Sequence, residues 1–186
     1  MARPMPETHG DILAAATRRF AATGYRGTSL QDIAREVGCS KATVLYHFAN
    51  KEALLVELMA RPLEVLAELD ARLAVLDGAA AQWAAAEGFV DLAVRFRREI
   101  AVLRGEFPEL LTQPAFAHVQ RISERLLDAL AGDCAGPAGR IAALVVLAGV
   151  PEACAEFVDL PDEELRPALL SIARRALVPT DPSTHE

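Results

Sequence analysis

Leu30-Gln31-Asp32-Ile33-Ala34-Arg35-Glu36-Val37-Gly38-Cys39-Ser40-Lys41-Ala42-Thr43-Val44-Leu45-Tyr46 is the stretch that decides how this chain folds. Ala34 is small where two helices must approach, and Gly38, four residues on, can take the positive φ that a tight turn demands. Ile33, Val37 and Val44 are apolar at the positions that would lock such a pair against a third helix. Ser40 stands where it caps the second helix, read as residues 41–48. The segment therefore predicts helix, tight turn, helix.

Working outward, Ile12, Leu13, Ala16 and Phe20 recur at helical spacing and predict a helix over 7–23, with Gly24 at a left-handed C-terminal cap. Thr28-Ser29-Leu30-Gln31 reads as a capping box in which Thr28 and Gln31 satisfy orphan amides. Asn50 caps a long fourth helix starting at Lys51, and Pro62 within it predicts a kink or break near Arg61. Asp77-Gly78 is a break. A helix over 82–104 places Phe89, Ala93, Phe96, Ile100 and Leu103 on one face. Pro108 and Pro114 bracket a short turn, another helix covers 115–130, and 132–136 is the clearest loop. Residues 138–158 are apolar nearly all round, so that helix needs neighbours on both sides. The last helix, 161–177, has Asp162, Glu163 and Glu164 in its first turn and Arg174 and Arg175 in its last, matching the helix dipole. Pro151 and Pro167 predict bends in these two helices, and the tail after Pro179 is expected to fray.

Composition agrees. Hydrophobic residues are 52% and aromatics only 5% of 186 residues, Ala and Leu dominate, and no stretch alternates as a strand would. The fold class expected is all-α: an N-terminal three-helix unit with the helix-turn-helix over 1–54, then a helical bundle over 55–180, about nine helices together.

The net charge of −7 divides unevenly. Residues 1–60 hold seven basic side chains against six acidic ones, a balance of +1, which leaves −8 to the remainder. An acidic C-terminal part would keep a polyanion on the N-terminal one. Cys39, Cys134 and Cys154 form no CxxC pair and His9, His47, His118 and His185 are scattered, so no metal site or cofactor is expected. No phosphate-binding loop or Gly-x-Ser-x-Gly elbow is present, which argues against an enzyme. The N-terminus has no apolar leader core, and the run 141–150 is too short to cross a bilayer. A cytoplasmic protein without membrane contact is expected.

Residues 8–56 resemble the TetR-family DNA-binding domain. The likeness runs from Ile12-Leu13 and Phe20 through Gly24-Tyr25-Arg26-Gly27-Thr28 to Leu45-Tyr46-His47-Phe48-Ala49-Asn50-Lys51-Glu52-Ala53-Leu54, about a quarter of the chain. The resemblance implies double-stranded operator DNA as partner and assigns contacts. Thr28 would offer its hydroxyl and nearby amides to a phosphate, and Lys41 and Thr43, with Ser40 and Ala42 beside them, would meet base edges. Tyr46 and His47 correspond to a pair that grips the backbone, and Lys51, one of two lysines in the chain, to a phosphate-binding lysine. Many relatives carry tyrosine where this chain has Leu45, so a hydroxyl contact there is lost or replaced by an apolar one. Rival readings are a solvated Lys51, a packing role for His47, and Cys39 as a small buried filler.

The family also implies a ligand site among the middle helices and a homodimer through the last two long ones. Pocket candidates are Trp83, Phe89, Phe96, Phe107, Phe116 and His118, with Arg95, Arg97, Arg98 or Arg104 to meet an acidic group. The expected function is a ligand-responsive regulator, a repressor that binds an inverted-repeat operator as a dimer and is released by a small molecule. The alternative is a DNA-binding dimer with no small-molecule effector, governed by a protein partner or by abundance.

Overall fold

The computed structural model describes residues 8–102, 117–132 and 137–178. Among these residues there are nine helices and no strand. They are α1 (Thr8–Gly27), α2 (Leu30–Val37), α3 (Lys41–His47), α4 (Lys51–Leu73), α5 (Gly78–Arg95), α6 (Arg97–Ala101), α7 (Ala117–Ala131), α8 (Pro137–Glu156) and α9 (Asp162–Leu177).

Two hydrophobic cores organise them. The first gathers Ile12, Phe20, Ile33, Val44 and Leu54 from α1 to α4. Fully burying each such side chain is worth about 1.5–3 kcal/mol. The second lies in the C-terminal bundle, around Leu69, Val90, Leu130, Val150 and Leu169. The division is not clean: Val102 and Val119 belong to the first core, and Leu66 of α4 packs against both. Packing between the two cores therefore runs through Leu66 of α4, Val102 and Val119 of α7.

Of the expected kink or break at Pro62, there is no break: helix α4 is continuous through it. Proline inside a helix forfeits one backbone hydrogen bond and crowds the preceding turn, costing roughly 3 kcal/mol. Here Leu54, Leu55 and Met59 anchor one end in the first core while Leu69 and Leu73 anchor the other in the second, and Pro62 itself is buried. Burial at both ends offsets the lost bond. Helices α8 and α9 likewise continue through Pro151 and Pro167. The apolar run 141–150 is thus part of a 20-residue helix of mean hydropathy 1.5, long and apolar enough by composition to span a bilayer.

The helix expected over 82–104 starts earlier, at Gly78, and ends earlier, at Arg95. Nothing in its apolar spacing marks the break at Phe96, where the next residue, Arg97, reaches distant partners. The Arg97 guanidinium donates to the Val94 carbonyl at 3.0 Å, to the Val158 carbonyl at 2.8 Å and to Asp162 Oδ1 at 2.5 Å. It thus caps the end of α5 while holding the turn between α8 and α9. Gln82 plays a similar part at the other end of α5, donating to the Leu130 carbonyl at 2.8 Å. Gly132 takes φ +61 beside it, where a Cβ would come within 2.8 Å of the Gln82 amide nitrogen. The expected turn between Pro108 and Pro114, and the tail after Pro179, lie outside the described residues.

Candidate nucleic-acid interface

The turn between α2 and α3 forms as its sequence requires. Gly38 sits at φ +80, ψ 28, the left-handed region that costs glycine nothing. The Gly38 and Cys39 amides both donate to the Ala34 carbonyl at 2.9 Å, closing α2. Ser40 then caps α3, its Oγ accepting from the Thr43 amide at 3.0 Å, and Asn50 caps α4 in the same way through Ala53 at 2.7 Å.

At the start of α2 the capping box exists, but one residue later than expected. Ser29, not Thr28, is the N-cap, and Asp32, not Gln31, completes the reciprocal pair. Ser29 Oγ accepts from the Asp32 amide at 3.2 Å, while Asp32 Oδ2 accepts from the Ser29 amide at 3.0 Å and from its hydroxyl at 2.6 Å. The Ser29 hydroxyl, foremost, and its amide hold the Asp32 carboxyl below the usual aspartate value. Thr28 has gone elsewhere. It is only 3% exposed, and its hydroxyl donates to the Gly24 carbonyl at 2.9 Å and lies 2.8 Å from the Thr23 hydroxyl. Through these bonds Thr28 secures the junction of α1 and α2.

Lys51 is also turned inward. Its ammonium donates to the Tyr25 carbonyl at 2.7 Å and to the Thr28 carbonyl at 2.9 Å, and lies 4.3 Å from the Tyr25 ring centre. With these contacts Lys51 braces the turn that carries the start of α2. A second brace is Glu36, which accepts from Arg18 Nε at 2.7 Å and Arg19 Nε at 2.6 Å. Burial acts to raise the Glu36 carboxyl, but hydrogen bonds from the two arginines hold it below the usual glutamate value.

What these braces hold out to solvent is one side of α3. Val44 is fully buried, while Lys41, Ala42, Leu45 and Tyr46 are exposed, Tyr46 to 86%. Thr43 is half-buried, its hydroxyl 2.9 Å from that of Ser40. His47 is half-buried between two aromatic rings: Tyr46 meets it edge-on at 5.3 Å and His9 of α1 at 5.7 Å. His9 stacks on Phe48 at 4.7 Å and bonds Glu57 of α4 at 2.5 Å. His9 is a residue that the sequence reading overlooked; its pattern gave no signal, because the partners lie 38 or more positions away. Cys39 is a free, partly buried cysteine packed against the first core.

Of the six expected pocket residues, four are described. Phe89 and Phe96 are buried, Phe89 within the bundle core, and Trp83 packs against that core. His118 is exposed, and Phe107 and Phe116 lie outside the described residues. Phe89 and Trp83 thus contribute apolar area to the bundle core. A cleft of about 370 Å³ opens instead between the end of α4, the start of α5 and α7, lined among others by Asp70, Leu73, Asp77, Ala81, Arg125 and Asp128.

Comparison with known proteins fits this geometry. Residues 12–58 match the family described as bacterial regulatory proteins, tetR family. The chain is 43% identical over 54 residues to the transcriptional regulator RutR of Escherichia coli K12, covering 29% of this chain and 26% of that one. It is 39% identical over 62 residues to the transcriptional repressor AcnR of Corynebacterium diphtheriae, covering 31% and 33%. The chain thus spans about a quarter to a third of the length of these curated relatives. The crystal structure of Mycobacterium smegmatis AmtR superposes with a TM-score of 0.63 at 24% identity, over 96% of this chain and 90% of that one. Residues 12–58 thus match the N-terminal domain of the tetR family, and the described helices together take the fold of the AmtR structure.

Proposed function

We propose that this chain is a cytoplasmic DNA-binding transcription regulator, not an enzyme, which acts as a homodimer on an inverted-repeat operator. The observation that carries the reading is the outward face of α3, where Lys41 and Tyr46 stand exposed while Val44 pins the helix beneath them. Residues 1–54 supply DNA binding and 55–180 supply dimerisation and sensing. Lys41 meets base edges, with Ser40, Ala42 and Thr43 beside it. Tyr46 and His47 lie against the backbone, and Thr28 and Lys51 position the helices rather than touch DNA.

The dimer reading rests on exposed apolar side chains. Ile141, Leu144 and Val145 of α8 and Ile172 of α9 are all at least half exposed, in helices that otherwise pack on the bundle core. Water-facing isoleucine and valine in a row mark a surface that another chain covers. The same seam accounts for the span-length hydropathy of α8 without a membrane.

Repression is favoured by the name of the relative AcnR, a repressor. Release by a small molecule then needs a site whose occupancy differs between DNA-competent and DNA-incompetent states. The cleft beside Arg125 has a volume within the range of ligand sites. A second reading has its own support: Phe89 lies in the bundle core and Trp83 packs against it, which favours a regulator without such an effector. Compounds that raise the melting temperature would be followed by calorimetry with and without saturating operator. The ligand-released reading predicts weaker ligand binding in the presence of operator, by the factor that ligand weakens DNA binding. Equal ligand affinities in the two titrations contradict it.

A further inference from the structure

Leu45 has no structural reason to be leucine. It is 43% exposed, belongs to neither hydrophobic core, and sits on a helix whose inward side is already filled by Val44. Successive residues of an α-helix are about 100° apart, so Lys41, Leu45, Ala42 and Tyr46 follow one another across an arc of roughly 140°. Leu45 lies inside that arc, flanked by the ammonium of Lys41 and the methyl of Ala42. The centre of the outward face is therefore apolar, with one cation at its edge.

Building on the DNA-binding reading above, we propose that Leu45, with Ala42 beside it, is a specificity-determining residue that reads the 5-methyl group of thymine in the major groove. The physical argument is one of elimination among base edges. A leucine side chain can neither donate nor accept, and the thymine methyl is the one apolar group that a base pair presents in the major groove. Pressed against the amino group of cytosine or adenine, Leu45 would strip water from a donor and return no hydrogen bond. Lys41 supplies the complementary half of the readout, since an ammonium suits O6 and N7 of guanine. Side chains one turn apart stand about 5–6 Å from each other, which spans one to two base-pair steps of about 3.4 Å. Each half-site should thus hold a guanine and, one or two steps away, a thymine.

The test is to select the preferred duplex from a random pool with the whole chain, then replace each thymidine of it in turn by deoxyuridine, which lacks only the methyl. The unmodified chain should lose about fourfold in affinity for each half-site so altered at one position, the worth of one buried methyl. Leu45→Ala should bind thymine and uracil duplexes equally at that position, with its circular dichroism unchanged because the side chain is exposed. Leu45→Gln should shift the preferred base there to adenine, which glutamine pairs through N6 and N7. A flat uracil scan with the unmodified chain, or the same fourfold loss in Leu45→Ala, overturns the inference while leaving DNA binding itself standing. Failure to enrich any sequence removes the DNA-binding reading and this one with it.

Discussion

The Lys51 ammonium lies 4.3 Å from the centre of the Tyr25 ring and donates to the Tyr25 backbone carbonyl at 2.7 Å. A lysine at the start of a helix is ordinarily free to reach solvent or an anion; this one ties α4 to the turn between α1 and α2. Hydrogen bonds from a charged group contribute about 1.5–3 kcal/mol when a partner is lost. Lys51→Ala should therefore lower the unfolding free energy of the chain by an amount in that range, read by urea titration. A direct phosphate contact would instead leave stability intact and flatten the plot of log affinity against log salt by about 0.9.

Lys41→Ala should behave in the opposite way. Its side chain is exposed and carries no part of the fold, so melting should not change. Affinity for the selected duplex should fall by about 1–3 kcal/mol, with relaxed preference at one base of each half-site. Repeating the selection with the variant checks this.

Val145→Asp should yield a folded monomer. Val145 is 60% exposed on α8, so a charge there costs the isolated chain little, yet it would be buried without a partner at a two-fold seam. Leu147→Asp serves as contrast, because Leu147 is partly buried against the bundle core and its replacement should unfold the chain. Sedimentation with circular dichroism separates the two outcomes. A dimer that persists in Val145→Asp would place the seam elsewhere.

Glu36→Gln should alter the response to acid. The folded chain holds the Glu36 carboxyl below its usual value, so its contribution to stability is complete above the ordinary glutamate range and is lost as pH falls through the lowered value. The variant should be less stable near neutrality by about 1 kcal/mol. The gap to the unmodified chain should close as acid protonates the original carboxylate. Melting temperatures across that range measure it.

Much of the helix-turn-helix could be read from residues, because its signals are local. Gly38, Ser40 and Asn50 act within three or four positions of themselves, and each does what its chemistry requires. The capping box slipped by one because Thr28 and Ser29 are adjacent hydroxyls, each followed three residues on by a side chain able to close it. The choice was made by the Gly24 carbonyl, which draws Thr28 inward. Long-range chemistry stayed hidden. Arg97, just past the end of α5, reaches residues 158–162, and His9 meets Phe48 and Glu57. Helical spacing likewise identifies the inward face that carries Phe89 without saying whether that face meets a cavity or a core.

Gly88 shows the same limit and offers a further check. A Cβ there would come within 2.4 Å of Leu69 Cδ1, so α4 and α5 approach too closely for any side chain without a shift of Leu69. Gly88→Ala would gain helix propensity but overpack this crossing, and a net loss of about 1–3 kcal/mol is expected from thermal unfolding.

The central claim is that paired α3 helices read DNA from their exposed faces, and selection of binding sites from random duplexes tests it most directly. The account predicts an inverted repeat whose half-site centres lie about 34–36 Å apart or a multiple of that, so that two recognition helices enter major grooves on one face. Enrichment of no sequence, or of a single asymmetric site, would contradict it.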